Sequence, residues 1–185
     1  MRGALIVVSG PSGAGKSTLI RAALRVIPDL GYSISATTRK PRGGEVDGRE
    51  YIFLDRETFE RWVEEGEFLE WAEYSGNLYG TPERKVEEFL AAGRSVILEI
   101  ELQGARLVRK KRPDAQMIFV RAPSLEETRK RLESRKTETG ESVETRMATA
   151  ELEVAAKTEF DHEIINDDRE RAAEEIVALM RRIIG

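Results

Sequence analysis

Gly10-Pro11-Ser12-Gly13-Ala14-Gly15-Lys16-Ser17 is the stretch whose reading decides the fold. It fits G-x-x-x-x-G-K-[ST], the phosphate-binding P-loop. Its glycines let the backbone turn tightly enough to point several N–H groups at one anion. Lys16 reaches the β- and γ-phosphates of a triphosphate in such a loop, and the Ser17 hydroxyl holds Mg²⁺. A pattern this short also arises in plain structural turns, so its flanks matter. Ala4-Leu5-Ile6-Val7-Val8 before it reads as a buried strand. Leu19, Ile20, Ala23 and Leu24 after it recur at helical spacing, and Pro28 closes the segment. Strand, loop and helix stand where phosphate binding needs them, with the helix dipole adding positive potential.

A chain of 185 residues is long enough for one domain with a core and a small insertion. Cysteine is absent, which excludes disulfides and thiolate metal sites. The N-terminal apolar run is too short for a signal peptide, and no stretch has the apolar length of a transmembrane helix. The expectation is a cytoplasmic protein with no membrane partner. A net charge of −4 argues against a general nucleic-acid surface. Monomer and homo-oligomer are both open.

Beyond the P-loop helix, Tyr32 to Thr38 is β-prone and leads into a basic loop with Arg39, Pro41, Arg42, Gly43 and Gly44. A strand at Tyr51–Phe53 follows, and Asp55 caps a helix with Phe59, Trp62 and Val63 on one face. Phe68–Tyr74 reads as a strand ending in a Ser75-Gly76-Asn77 hairpin turn. Thr81-Pro82 reads as a helix N-cap followed by proline at the first helical position. Strands follow at Ser95–Ile100, Met117–Val120 and Glu163–Ile165, with helices between them. Ser124 and Glu127 form a capping box. Residues 136–141 carry no apolar side chain and read as solvated and mobile. Apolar strands alternating with helices predict an α/β fold around a parallel sheet.

Several ordered motifs together resemble guanylate kinase over nearly the whole chain. They are the P-loop, the run Ser35 through Glu45 with Tyr51, Phe68-Leu69-Glu70-Trp71-Ala72, Gly76 through Thr81, Leu98 through Gly104, and Arg131 through Arg146. The resemblance implies a P-loop kinase with a five-stranded parallel core sheet, an inserted mixed α/β GMP-binding region and a mobile lid. It puts the core at 1–32, 83–124 and 147–185, the insertion at 33–82 and the lid at 125–146. It implies transfer of the γ-phosphoryl of ATP to GMP, with Mg²⁺.

Residue by residue, the resemblance assigns ATP to Gly10, Pro11, Ser12, Gly13, Ala14, Gly15, Lys16, Ser17, Thr18 and Asn166. Asn166 equally suits a turn that caps the last helix. Arg39, Arg42, Tyr51 and Tyr79 are assigned to the GMP phosphate, with Glu45 orienting the arginines. Two guanidinium forks three residues apart suit a phosphate, although the loop also reads as simply solvated. Glu70 is assigned to guanine, whose N1–H and 2-amino groups one carboxylate can accept together, with Ser35 and Thr81 at the O6 edge. Ordinary strand alternation would instead turn Glu70 to solvent. Glu99 and Glu101 end a central strand at the Walker-B position, Glu99 holding Mg²⁺ through water and Glu101 reaching guanine. Glu101 stands where the family usually has aspartate. Arg131, Arg135 and Arg146 flank the lid and, with Lys16 and Arg39, are the expected catalytic cations; Glu127 can also pair with Arg131 on a solvated face. His162 has no expected catalytic role, and Trp62 and Trp71 read as core. The alternatives are a catalytically inactive guanylate-kinase-like binding module and a P-loop kinase for a sugar phosphate.

Overall fold

A computed structural model of the chain describes residues 2–74, 76–134 and 143–185. The first apolar run forms β1 (Leu5–Ser9), with Ile6, Val7 and Val8 fully buried. The P-loop follows it and opens α1 (Lys16–Val26), which buries Leu19, Ile20 and Ala23. Then come β2 (Gly31–Tyr32), β3 (Ala36–Thr37), β4 (Ile52–Phe53) and α2 (Arg56–Glu64). The hairpin β5 (Phe68–Tyr74) and β6 (Asn77–Pro82) leads to α3 (Glu83–Ala91), β7 (Val96–Glu99) and α4 (Leu102–Lys111). The chain ends with β8 (Gln116–Arg121), α5 (Leu125–Ser134), α6 (Val143–Ala155), a 3₁₀ turn (Ala156–Glu159), β9 (His162–Ile165) and α7 (Arg169–Ile184).

Five strands form one sheet in the order β2-β7-β1-β8-β9, with β2 parallel to β7 and β8 parallel to β9. The chain therefore leaves β1 at the point where the strand order reverses, the place where α/β sheets bind ligands. A second sheet has the order β4-β3-β6-β5, with β3 antiparallel to β6 and β6 to β5. No helix of the described residues is long and apolar enough to cross a membrane.

The chain packs as two compact units. One comprises residues 1–6, 29–98 and 103–115, the other 7–28, 99–102 and 116–185. In the first, Ala36, Phe59, Phe68 and Leu78 form a core against which Ile52, Leu54, Trp62 and Val63 pack. Phe59 and Phe68 stack there with ring centroids 4.5 Å apart. In the second, Met117, Ile118, Phe119 and Val120 of β8 are buried, as are Ala172, Ile176 and Met180 on the apolar stripe of α7.

Several boundaries differ from the sequence reading. Thr81 is not a helix cap: it lies in β6, α3 begins at Glu83, and Pro82 occupies the cap position with no side-chain bond. The Thr81 hydroxyl is committed to Glu70, which a capping geometry would have prevented. Trp71 is 41% exposed instead of core, because it falls on the outward face of β5. The Ser124 hydroxyl accepts from the Glu127 N–H at 3.1 Å as a cap should, while the Glu127 carboxylate turns to Arg131. Ser75, Arg135 and the polar run 136–141 lie outside the described residues.

Helix α7 is capped by Asp168, which accepts from the N–H groups of Glu170 and Arg171 at 3.0 and 2.9 Å. Asp168→Ala leaves those donors unpaired at an exposed helix end and should cost about 1 kcal/mol. Thermal denaturation followed by circular dichroism should register this as a fall of about 2–4 °C in Tm.

Candidate active site

The N-termini of α1 and α7 are built in opposite ways. Helix α7 has its carboxylate cap, whereas α1 has no side-chain cap and no acidic residue in its first turn. Its first N–H groups and its dipole are thus available to an anion. Two glycines make the loop possible. Gly10 has φ 138°, and a Cβ there would sit 1.9 Å from the Val120 carbonyl oxygen. Gly15, the N-cap, has φ 91°, and a Cβ there would meet Asn166 Nδ2 at 2.3 Å.

Asn166 follows β9 and is buried. Its Nδ2 donates to the Ala14 carbonyl at 2.8 Å, clamping the loop from the last strand. Lys16 is buried too, with its ammonium donating to the carbonyls of Gly10 and, at 3.3 Å, Pro11. The Ser17 hydroxyl donates to Glu99 Oε1 at 2.7 Å, so the P-loop serine and the acid ending β7 meet. Arg146, from α6, donates to the Ser12 hydroxyl at 2.7 Å. Arg131, from α5, is held by Glu127 at 2.8 Å and by the Asn166 carbonyl at 2.9 Å. Arg146 is thus fixed on the P-loop itself and Arg131 on the residue that clamps the loop.

A second cluster gathers in the other unit. Arg39 donates to Glu45 Oε1 at 2.8 Å and to the Lys40 carbonyl at 2.7 Å. Its guanidinium stands 5.3 Å over the Tyr51 ring and 5.8 Å over that of Phe53. Tyr51 meets Tyr79 edge to face at 6.1 Å. Glu45 also accepts from the Arg42 N–H at 2.7 Å, and its hydrogen bond to Arg39 holds its carboxyl below the usual range. The same pair raises Arg39. Glu45 therefore fixes the shape of the loop, and the Arg42 side chain is exposed. Ser35 directly precedes β3, where its carbonyl accepts from Ile52 N–H at 2.9 Å.

Glu70 is the buried acid of this unit, at 5% exposure. One Glu70 oxygen accepts from the Thr81 hydroxyl at 2.6 Å. Burial pushes its pKa up, against the lowering effect of the Thr81 bond and the Lys111 charge.

The family model for guanylate kinase matches residues 2–183. A guanylate kinase from Rubrobacter xylanophilus is 73% identical over 184 residues, covering 100% of this chain and 96% of the relative. The chain belongs to the guanylate kinase family. One from a Synechocystis strain is 47% identical across 97% of this chain and 94% of its own. The crystal structure of guanylate kinase from Anaplasma phagocytophilum superposes with a TM-score of 0.81 at 33% identity, covering 98% of this chain and 86% of that one. A sugar kinase structure from a Janibacter species has a TM-score of 0.56 at 15% identity, a likeness of fold alone.

Within this guanylate kinase family chain, the expected ATP residues and Arg131, Arg146 and Glu99 gather in the second unit. The expected GMP residues Ser35, Arg39, Arg42, Glu45, Tyr51, Glu70, Tyr79 and Thr81 belong to the first. Glu101 falls in the second unit, exposed and beside Glu153 of α6. Glu153 is a residue that the sequence reading missed. It is 7% exposed, and burial together with the Glu101 charge raises its pKa to about 7, with Lys16 opposing. Its signal was present: Met147, Ala150 and Glu153 are buried in α6 at a spacing of three. An acid on a buried helical stripe marks a position that packing alone would give to an apolar residue.

Proposed function

We propose that the protein is an ATP:GMP phosphotransferase, in which the γ-phosphoryl of ATP passes to an oxygen of the GMP phosphate to give ADP and GDP. The observation that carries the reading is Glu70, a carboxylate buried beside Thr81 in a chain whose curated relatives are named guanylate kinase. It accepts N1–H and the 2-amino group of guanine, while the Ser35 and Thr81 hydroxyls serve the base edge. Adenine presents an acceptor at N1 and leaves the carboxylate unpaired. Arg39, Arg42, Tyr51 and Tyr79 hold the GMP phosphate, with Glu45 bracing the loop. Glu101 completes the guanine contacts from the end of β7. In this reading residues 33–82 are the inserted GMP-binding region, 125–146 the lid, and 1–32, 83–124 and 147–185 the core.

On the donor side, residues 10–18 wrap the ATP phosphates through backbone N–H groups, and Lys16 neutralises their charge. Arg131, Arg135 and Arg146 stabilise the charge that develops as the phosphoryl group moves. Asn166 keeps the loop in shape beside the adenosine. The donor set at Ser17 and Glu99, two hard oxygens hydrogen-bonded to each other, fits Mg²⁺. Ser17 would ligate it directly and Glu99 through water. Bound there, Mg²⁺ screens the phosphate oxygens against an incoming anion. Among the described residues there is no group of three or more acids and histidines able to hold a metal alone. Such a site takes its remaining ligands from phosphate and water. No general base is needed, because the acceptor oxygen is already anionic.

The test is coupled ADP release with GMP, dGMP, AMP, UMP and CMP as acceptors. GMP should be used with a kcat/KM about 100-fold or more above AMP and the pyrimidine nucleotides. Equal use of AMP, or no turnover with any nucleotide, would remove this reading.

A further inference from the structure

Glu127 has two uses open to it, and the structure chooses between them. Ser124 and Glu127 have the capping-box spacing, in which the acid's side chain reaches back to the N–H of the cap residue. In α5 the Ser124 hydroxyl does take the Glu127 N–H, but the Glu127 carboxylate turns along the helix and accepts from Arg131 Nε at 2.8 Å. The same guanidinium has a partner outside the helix: Arg131 Nη2 donates to the Asn166 carbonyl at 2.9 Å. Asn166 is anchored in turn, its N–H donating to the Arg121 carbonyl and its side chain to the P-loop carbonyl of Ala14, both at 2.8 Å. A Cβ on Gly13 of that loop would stand 3.6 Å from Arg131 Cβ. A guanidinium is planar, with five donors in a fixed fork. Two bonds to oxygens on different elements set both the place and the plane of that fork, and leave three donors for a phosphate.

The next pair on α5 shows that this is not the ordinary state of a charged helix face. Glu126 and Lys130 have the same i, i+4 spacing and a 2.8 Å contact, but their side chains are 76% and 64% exposed. Those of Glu127 and Arg131 are 36% and 25% exposed. A solvated pair of the first kind holds nothing but itself.

We propose that Glu127 is a positioning residue for phosphoryl transfer, fixing the Arg131 guanidinium from the helix while the Asn166 carbonyl fixes it from the end of β9, so that the fork is oriented before the phosphates arrive. This rests on the reading of Arg131 as a cation of the transfer. A long side chain left to itself samples many rotamers, and ordering it during the reaction would take free energy from the charge stabilisation it supplies.

The experiment measures kcat, KM for ATP, the single-turnover rate with GMP and Tm in the full chain, for the wild type and for Glu127→Ala, Glu127→Gln, Glu126→Gln and Arg131→Ala. Single turnover separates the transfer from product release. Glu127→Ala should lower kcat and the single-turnover rate about tenfold, with KM for ATP within about twofold, because a misplaced cation is lost from the transition state more than from the bound complex. Glutamine keeps an oxygen for the Nε–H, so Glu127→Gln should stay within about threefold of the wild type. Arg131→Ala should fall about 100-fold, and adding Glu127→Ala to it should change the rate no further. Glu126→Gln removes an acid from the same first turn of α5 and should keep the wild-type kinetics. A Glu127→Ala rate equal to the wild type, or a loss that Glu126→Gln shares, makes the pair an ordinary helix brace and overturns the proposal. So does a faster rate, since Glu127 would then be holding Arg131 back. In each of these cases a large loss in Arg131→Ala leaves the role of that arginine standing. An undiminished rate in Arg131→Ala overturns both.

Discussion

Lys16→Met should lower kcat by about 10³-fold while leaving the dissociation constant for GMP within about twofold. Methionine has nearly the same length, so the substitution removes the ammonium and little of the packing. The side chain is buried against the loop carbonyls of Gly10 and Pro11. An ammonium in such a place is worth most where phosphate charge redistributes, because it needs no reorganisation when the reaction occurs. The residues assigned to GMP, Glu101 apart, lie in the other unit, which is why its binding should not follow kcat. Lys16 also holds down the pKa of Glu153, so the variant should leave that acid more fully protonated at neutral pH. Steady-state assays with saturating ATP and GMP, beside calorimetric titration with GMP, separate the two quantities. A kcat loss below about tenfold would take Lys16 out of charge stabilisation. A parallel loss of GMP affinity with a lower Tm would make it a fold residue instead.

Local signals were read well, and signals that depend on pairing were not. The P-loop could be recognised because its function is carried by backbone turns that glycine permits within eight consecutive residues. The strand and helix around it follow from the apolar spacing of Leu5–Val8 and Leu19–Leu24. Asp55 behaves as the cap the sequence announced, accepting from Thr58 N–H at 2.7 Å. Glu70 was different. Alternation along β5 left solvent as an open answer, and the slip at Leu69 that buries it exists only in the pairing with β6. Thr81 was misplaced for the same reason: Thr-Pro is a good helix start locally, but the partner that claims its hydroxyl is eleven residues away in sequence. Trp71, one residue beyond Glu70, is turned outward by the alternation that resumes there. Asn166 equally suited a cap for α7, but the structure gives that role to Asp168 and ties Asn166 to the Ala14 carbonyl. The contacts of Lys16 and Arg146 belong to motifs, whereas the Glu101–Glu153 encounter needed the packing of α6.

Glu70→Gln should reduce the preference for GMP over AMP by about 10- to 100-fold, with most of the change in KM rather than in kcat. The amide oxygen can keep the Thr81 hydroxyl bond made by Oε1, which leaves the amide nitrogen in the second position. There it meets a guanine donor with a donor, and one of them goes unpaired in a site that excludes water. A buried unpaired donor costs about 1–3 kcal/mol, the source of the expected loss with GMP. Adenine fares in the opposite way, because its N1 acceptor can take the amide N–H, so AMP should gain slightly. The pH dependence gives an independent check. Burial raises the Glu70 pKa, so the wild-type carboxylate supplies GMP affinity at high pH and loses it as pH falls through that raised value. Glutamine does not titrate, so the part of the acid-side rise in KM that comes from Glu70 should vanish in the variant. Initial-rate measurements with GMP and AMP across pH read both effects. An unchanged GMP-to-AMP ratio with an unchanged acid limb would show that the buried carboxylate does not touch the base, and the recognition would then have to come from Ser35, Thr81 and Glu101.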